Sequence, residues 1–183
     1  MEFYHLVTRK PLTIGQKIFF DGRQHNRLYD FFLAQQPENA AGQTVSQVLQ
    51  QGWTDEAQMF LQAARAHEAR ALREIITELV RLQQFSHLPS RFECLYGTQT
   101  LADCERWQKN FESFDRKVVQ LVKVTSAGPF FSGDAQLLPT LADVSLTEKI
   151  AQAQAYWQTA STDLAEVLIG GEIEVTAILK EFR

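Results

Sequence analysis

The residue in this chain whose type and setting most plainly ask for a chemical role is Glu166, which stands at the mouth of the apolar run Val167-Leu168-Ile169. A carboxylate entering a run that is buried on both faces costs several kcal/mol if it loses water without gaining a partner, so it needs solvent, an ion pair or a task. His5 lies in the middle of the opening stretch Phe3-Tyr4-His5-Leu6-Val7-Thr8, and Tyr96 lies in Cys94-Leu95-Tyr96-Gly97-Thr98. Taken singly, each has an ordinary reading: a solvated strand-end carboxylate, a half-buried histidine with its bonds satisfied, and a core aromatic. Cys94 and Cys104 lack the companion spacing of a zinc site and read as two reduced thiols. No GxGxxG fingerprint offers a Rossmann-type dinucleotide site. The arginines at 65, 70, 73 and 81 alternate with Glu68, Glu74 and Glu78, which reads as a solvated, salt-bridged helix face rather than a nucleic-acid stripe.

Those three residues must be positioned by the elements around them. The first stretch is apolar, β-branched and ended by Arg9-Lys10-Pro11, so it reads as a strand. Leu12 to Gly22 reads as a loop passing into a short extended piece closed by an Asp21-Gly22 turn, and Leu28 to Ala34 as one or two helical turns. Thr44 offers an N-cap for a short helix with Val45, Val48 and Leu49 inward. Residues 55–84 carry apolar side chains at helical spacing, among them Phe60, Ala64, Ala71, Leu72, Ile75, Ile76, Leu79 and Leu82. At about 1.5 Å per residue such a helix is roughly 45 Å long, which suggests that it bends or splits near His67. Pro89 to Thr98 reads as extended, Thr100 to Phe111 as a capped helix, and Lys117 to Val124 as a strand. Phe130 to Pro139 reads as irregular, and Ser145 with Glu148 caps a helix to about Trp157. Val167-Leu168-Ile169, Gly170-Gly171 and the alternating Ile173 to Leu179 read as a closing β-hairpin through a type I′ turn. Strands separated by helices, with a hairpin at the end, indicate an α+β fold rather than a doubly wound sheet.

A chain of 183 residues, 45% of them apolar, is large enough for one ordinary core, and the expectation is a single domain over 1–183. A formal charge of −4 and a pI near 5.6 supply no overall basic field for nucleic acid. No apolar run approaches the roughly 18 residues of a membrane span, and the opening Met-Glu-Phe-Tyr-His has neither a basic nor an apolar leader region. The expectation is a cytoplasmic protein with no membrane partner.

Three stretches together resemble the ADP-ribosyltransferase superfamily. Glu166-Val167-Leu168-Ile169-Gly170-Gly171 resembles its catalytic-glutamate strand, in which a glutamate directly precedes a Val-Leu-Leu/Ile run and a turn. Tyr4-His5-Leu6-Val7-Thr8 resembles the first-strand motif of the diphtheria-toxin and poly-ADP-ribose-polymerase branch, and Cys94-Leu95-Tyr96-Gly97-Thr98 is similar to that branch's middle strand. The resemblance implies a catalytic set of His5, Tyr96 and Glu166 on a split β-sheet with helical insertions, in an uncharacterised bacterial branch. Glu172 is the fallback for the glutamate.

What the resemblance implies is use of NAD as a substrate, without a metal. Breaking the bond between nicotinamide and ribose builds oxocarbenium-like charge on the sugar, which a fixed carboxylate at Glu166 stabilises. His5 is implied to bond the adenosine-side ribose and Tyr96 to stack on nicotinamide, with Thr8, Arg9, Ser90 and Arg91 as further NAD-binding candidates. Arg9 or Arg91 would hold pyrophosphate as a bidentate donor, and Asp134 is a weaker candidate. Arginine-modifying relatives carry a second Glu or Gln two residues before the catalytic one; here that position is Leu164, so arginine is not the expected target. The expected activity is mono-ADP-ribosyl transfer to a protein or nucleic acid, in a toxin or phage-defence role with an inhibitory antitoxin-like partner. The alternatives are an NAD glycohydrolase and a catalytically inactive binding module.

Overall fold

The computed structural model describes residues 1–20, 23–159 and 163–182. The opening stretch forms β1 (Glu2–Val7), followed by the two-residue β2 (Lys17–Ile18). The Asp21-Gly22 turn expected next lies outside the described residues. Asn26 caps a single helical turn, α1 (Arg27–Tyr29), which passes into a π-type turn over Asp30–Ala34. Helix α2 (Val45–Gln50) starts at Thr44, whose side chain and that of Gln47 reciprocally cap the first turn. Val48 is buried as its spacing requires, but Leu49, expected inward, is exposed.

Helix α3 (Asp55–Gln84) starts at Thr54 and runs unbroken past His67, so it does not split there. Its buried face is also not the leucine-rich one. Leu72, Ile75, Leu79 and Leu82 are exposed, whereas Ala64, Ala71, Glu74, Ile76, Thr77 and Val80 face inward. The polar members of that inner face are kept there by partners, as the site shows below.

The second half of the chain supplies β3 (Leu95–Gly97), α4 (Leu101–Glu112), β4 (Gln120–Ser126), β5 (Phe130–Asp134), α5 (Leu146–Gln158), β6 (Ala165–Ile169) and β7 (Ile173–Glu181). Only Leu95–Gly97 of the expected extended stretch over 89–98 is strand. Phe130–Asp134, expected to be irregular, is a full strand paired with β6.

All neighbouring strands are antiparallel, in one sheet ordered β1-β4-β7-β2 and a second ordered β3-β6-β5. The expected hairpin is therefore not formed: β6 and β7 belong to different sheets. Each already has a partner on both edges, β3 and β5 for one and β4 and β2 for the other. Gly170-Gly171 is instead the corner between sheets. Only Gly171 takes a left-handed φ, of 74°, where a type I′ turn needs two such residues.

Among the described residues the sheets meet at a single backbone bridge, where Tyr4 N–H donates to Thr98 O at 2.9 Å and Thr98 N–H to Tyr4 O at 2.8 Å. Gly97 permits that approach, because a Cβ there would lie 2.7 Å from Tyr4 O and 2.8 Å from Ile169 Cδ1. One apolar cluster draws on both sheets, with Phe3, Val7, Val122 and Val124 against Val167, Ile169, Ile173 and Val175. On the other face of β6, Leu168 packs with Ile76 and Val80 of α3 and Tyr156 and Trp157 of α5. Helix α4 covers Leu6 of β1 through Cys104 and its neighbours. The fold is α+β with wholly antiparallel sheets.

Gly97→Ala is expected to cost about 1–3 kcal/mol through overpacking, lowering Tm by about 2–4 °C per kcal/mol for a chain of this size. Urea denaturation would check it. A midpoint equal to the parent's would mean that the sheet junction does not depend on this close approach.

Candidate functional site

Register places Tyr96 opposite Leu168 and Gly133 opposite Glu166. Because side chains alternate along a strand, Tyr96, Leu168 and Glu166 share one face of the three-stranded sheet, the face turned to α3 and α5. Val167 and Ile169 point the other way, into the cluster shared by both sheets.

Arg91, in the turn before β3, reaches into the space between that face and the helices. Its Nε donates to Glu74 Oε2 of α3 at 2.7 Å, and its Nη1 donates to Tyr156 Oη of α5 at 2.7 Å and to Glu166 Oε1 of β6. The Tyr156 hydroxyl, accepting from Arg91, donates in turn to Glu166 Oε1 at 2.6 Å. All four side chains are buried, with Glu166 only 4% exposed. Arg73 closes the set from the rim, its Nη2 2.9 Å from Glu74 Oε1, so two carboxylates face two guanidinium groups.

The guanidinium carbon of Arg91 also lies 5.3 Å from the ring centre of Tyr96 and 5.2 Å from that of Tyr156, within cation–π range. The turn that carries Arg91 is fixed by its backbone: Asn26 Nδ2 and the Tyr96 hydroxyl both donate to Arg91 O, at 2.7 and 2.8 Å. Ser90 takes part here too, its Oγ accepting from Phe92 N–H at 3.1 Å. Gly133 makes room on β5, since a Cβ there would come within 2.6 Å of the Phe131 ring and 3.1 Å of the Tyr156 ring.

Burial sets the electrostatics. It pushes the Glu74 carboxyl up, but Arg91 and Arg73 outweigh it and hold the group below its ordinary range. It also works against the charge of Arg91, yet Glu166 and Glu74 hold that guanidinium firmly protonated. The phenols of Tyr96 and Tyr156 are raised well above their ordinary value by burial, so both remain hydrogen-bond donors. Cys94, also buried, is raised out of the range where its thiolate would act. Both bonds to Glu166 fall on Oε1; Oε2 carries none among the described residues.

The other sequence candidates lie elsewhere. His5 shares a face of β1 with Phe3 and Val7, and its Nδ1 is 2.7 Å from Tyr96 O. A carbonyl can only accept, so Nδ1 carries the proton and Nε2 is left as an acceptor. Burial lowers the His5 pKa, against the pull of the Tyr96 carbonyl and with help from Arg116. Thr8 follows β1, and its Oγ1 accepts from Arg116 Nε at 3.1 Å. Arg9 is exposed and close enough to Arg116 to lower that guanidinium's pKa, after burial. Glu172 is an exposed surface residue at the corner, paired with Lys17 at 2.7 Å. Asp134 caps the segment before β6, accepting from Asp163 N–H at 3.0 Å.

The structure thus brings Tyr96, Arg91 and Glu166 together. It joins His5 to them through the Tyr96 backbone, and it sets Thr8 and Arg9 beyond His5 at the end of β1. Tyr156 and Arg116 were not singled out from the sequence, and Glu74, read there as part of a solvated, salt-bridged face, is fully buried against Arg91 and Arg73. Glu74 had a signal, because Ala57, Ala64 and Ala71 mark the packed face of α3 and Glu74 lies one turn beyond Ala71 on it. Tyr156 reads only as a core aromatic, and Arg116 has no signal before β4 is known. Among the described residues no three His, Cys, Asp or Glu side chains are grouped to hold a metal, and no helix is long and apolar enough to cross a membrane.

Fold and site together define an α+β protein with two antiparallel sheets meeting at one bridge and a buried carboxylate–guanidinium–tyrosine cluster on the smaller sheet. The family model described as "Protein of unknown function (DUF2441)" matches residues 3–181, and the chain belongs to that family. No curated protein matches it.

Arg91→Met strands the buried Glu166 carboxylate and leaves Glu74 with Arg73 alone, and is expected to cost about 3–5 kcal/mol, whereas Tyr156→Phe removes the hydroxyl's bonds to Glu166 and Arg91 and costs about 1–3 kcal/mol. Urea titration of both would check the order. Equal, negligible losses would mean that the cluster contributes nothing to folding. His5 offers a second test. With a folded-state pKa below the ordinary 6.5, its contribution is fully present above that value and is lost as pH falls through the lower folded one. A His5→Gln variant should therefore lose stability less steeply on acidification below pH 6.5 than the parent does. Parallel pH profiles would remove His5 from the account.

Proposed function

We propose that this chain is an NAD-dependent mono-ADP-ribosyltransferase acting on a macromolecule, with Glu166 as the catalytic carboxylate. The observation that carries the reading is the placement of Glu166: a largely buried carboxylate at the head of a central strand, bonded through Oε1 and with no bond to Oε2 among the described residues. A carboxylate fixed by its protein partners with one oxygen free of them is suited to stabilise a developing cation, because it is oriented before the charge appears.

In the reaction, the bond between ribose C1′ and the nicotinamide nitrogen breaks with its electron pair leaving on nicotinamide. The acceptor then forms a bond to C1′ and releases its proton to solvent, and Glu166 takes no part in that proton transfer. Three further features support the reading: a sheet split into two parts, Tyr96 on the strand beside Glu166, and His5 one bridge away with Nε2 as an acceptor for a ribose hydroxyl. Thr8, Arg9 and Arg116 form a cationic group near His5 suited to pyrophosphate. Arg91, committed to carboxylates, is less suited to that task. The acceptor is a protein or a nucleic acid, and the net acidic charge favours protein. Unrestrained transfer inside a cell is toxic, which fits a cytoplasmic toxin or phage-defence effector kept in check by an inhibitory antitoxin-like partner.

The enclosure of Glu166 by Arg91 favours one second reading, a catalytically silent module that binds a partner or nucleotide. Labelled NAD incubated with the protein and a cell extract separates the two. Label on macromolecules supports the transferase, free ADP-ribose alone makes the protein a glycohydrolase, and intact NAD supports the silent module. Protease and nuclease treatment of the labelled product assigns the acceptor. Glu166→Gln should lower NAD cleavage by about two orders of magnitude or more with the fold retained, and Glu172→Gln should leave it unchanged. The reverse pattern would transfer the role to Glu172.

A further inference from the structure

We propose that Arg91 is an internal plug for the cation site formed by Glu166, Tyr96 and Tyr156, and that Glu74 is the second carboxylate that retains it when a planar organic cation takes its place. The inference rests on the NAD reading above, since the cation it names is the positively charged nicotinamide ring.

The geometry is that of a cage with an occupant. Two tyrosine rings stand 5.3 and 5.2 Å from the guanidinium carbon, and a carboxylate oxygen meets its Nη1. Guanidinium is flat, delocalised and positively charged, and so is a nicotinamide ring bonded to ribose; both are attracted to aromatic faces and to a nearby carboxylate. The resemblance gives nicotinamide the face of Tyr96, and Arg91 is already beside that ring. The two therefore compete.

The bonding of Arg91 shows how it would yield. Its backbone is pinned through its carbonyl by Asn26 and Tyr96, so any movement belongs to the side chain. The side chain is held by two separate edges. Nη1 serves Glu166 and Tyr156, while Nε serves Glu74 at 2.7 Å. Release of the Nη1 edge alone frees Glu166 Oε1, the Tyr156 hydroxyl and the rings, and leaves the guanidinium paired with Glu74 rather than stranded. Glu74 is fully buried and divides its oxygens, Oε1 to Arg73 and Oε2 to Arg91, so it is held in place by Arg73 and can keep the Nε edge of Arg91 when the Nη1 edge is released.

The test is equilibrium binding by calorimetry with three probes: NAD, the 1-methylnicotinamide cation, and neutral nicotinamide. The protein is compared with Arg91→Gln and Glu74→Gln. The plug predicts opposite signs. Arg91→Gln empties the cage and should tighten both cationic probes about tenfold, with little change for nicotinamide. Glu74→Gln leaves Arg91 to Glu166 alone and should weaken them by a similar factor. Where Arg91→Gln does not fold, the unaltered protein supplies the second measurement. Saturation with 1-methylnicotinamide should speed exchange of the Arg91 Nη hydrogens in nitrogen-resolved NMR while the Nε–H stays protected by Glu74. If NAD binds but both variants shift affinity in the same direction or not at all, or if both edges of Arg91 keep their protection, the plug is wrong and the NAD reading stands. If neither NAD nor 1-methylnicotinamide binds the protein or either variant, the NAD reading itself falls and the plug with it.

Discussion

One guanidinium holds the functional half of this molecule together. Arg91 leaves a turn that is not itself regular structure, yet it bonds α3 through Glu74, α5 through Tyr156 and β6 through Glu166. A turn with few apolar contacts would ordinarily be among the less stable parts of a fold. Here its position is dictated from both sides. Asn26 Nδ2 donates to Arg91 O and to Cys94 O, which ties the preceding segment to the same turn. Removing the guanidinium would leave the buried Glu166 without its cation and Glu74 with Arg73 alone, so the helices, the strand and the turn are coupled through this one group.

The second constraint is the junction between sheets. β1 and β3 share one bridge, and the close approach depends on Gly97 having no side chain. That bridge sets His5 beside the Tyr96 carbonyl, and the β3–β6 ladder sets Tyr96 beside the strand of Glu166. Three residues from the beginning, middle and end of the chain are thereby related by backbone pairing rather than by flexible side-chain reach. Gly133 plays the corresponding part on the opposite edge, where the Tyr156 ring lies over β5.

How much of this was legible in the sequence divides along local and non-local lines. The caps at Thr44, Thr100 and Ser145 read correctly because a cap is settled within four residues of chain. The need of Glu166 for a partner was legible from the apolar run behind it. Its partner was not, because Arg91 is 75 positions away and stands in a turn. The hairpin at Gly170-Gly171 misled because two strands close in sequence usually pair, and nothing local reveals that each has two other neighbours. β5 was missed because Ser132-Gly133-Asp134 has the composition of a turn, while the site requires glycine there to admit Tyr156. On α3 the leucines suggested the buried stripe. The inner face instead carries Glu74 and Thr77 beside alanines, and the leucine pattern competed with it at nearly the same period.

A buried Glu–Arg–Glu set is an uneconomical way to stabilise a fold. Apolar side chains of the same volume are often neutral or better, because taking three charges out of water costs more than their attraction returns unless the geometry is very good. Stability alone therefore does not account for Glu74, Arg91 and Glu166 buried together. A carboxylate meant to stabilise a cation must be ionised and poorly hydrated before that cation arrives, and these demands conflict, since desolvation favours the neutral acid. An internal counter-ion resolves the conflict. With Arg91 in place, Glu166 is accompanied by a positive charge and two hydrogen-bond donors. On the proposed reading, the same contacts that make the cluster look like a core ion pair are the ones that hold a catalytic carboxylate in position between turnovers.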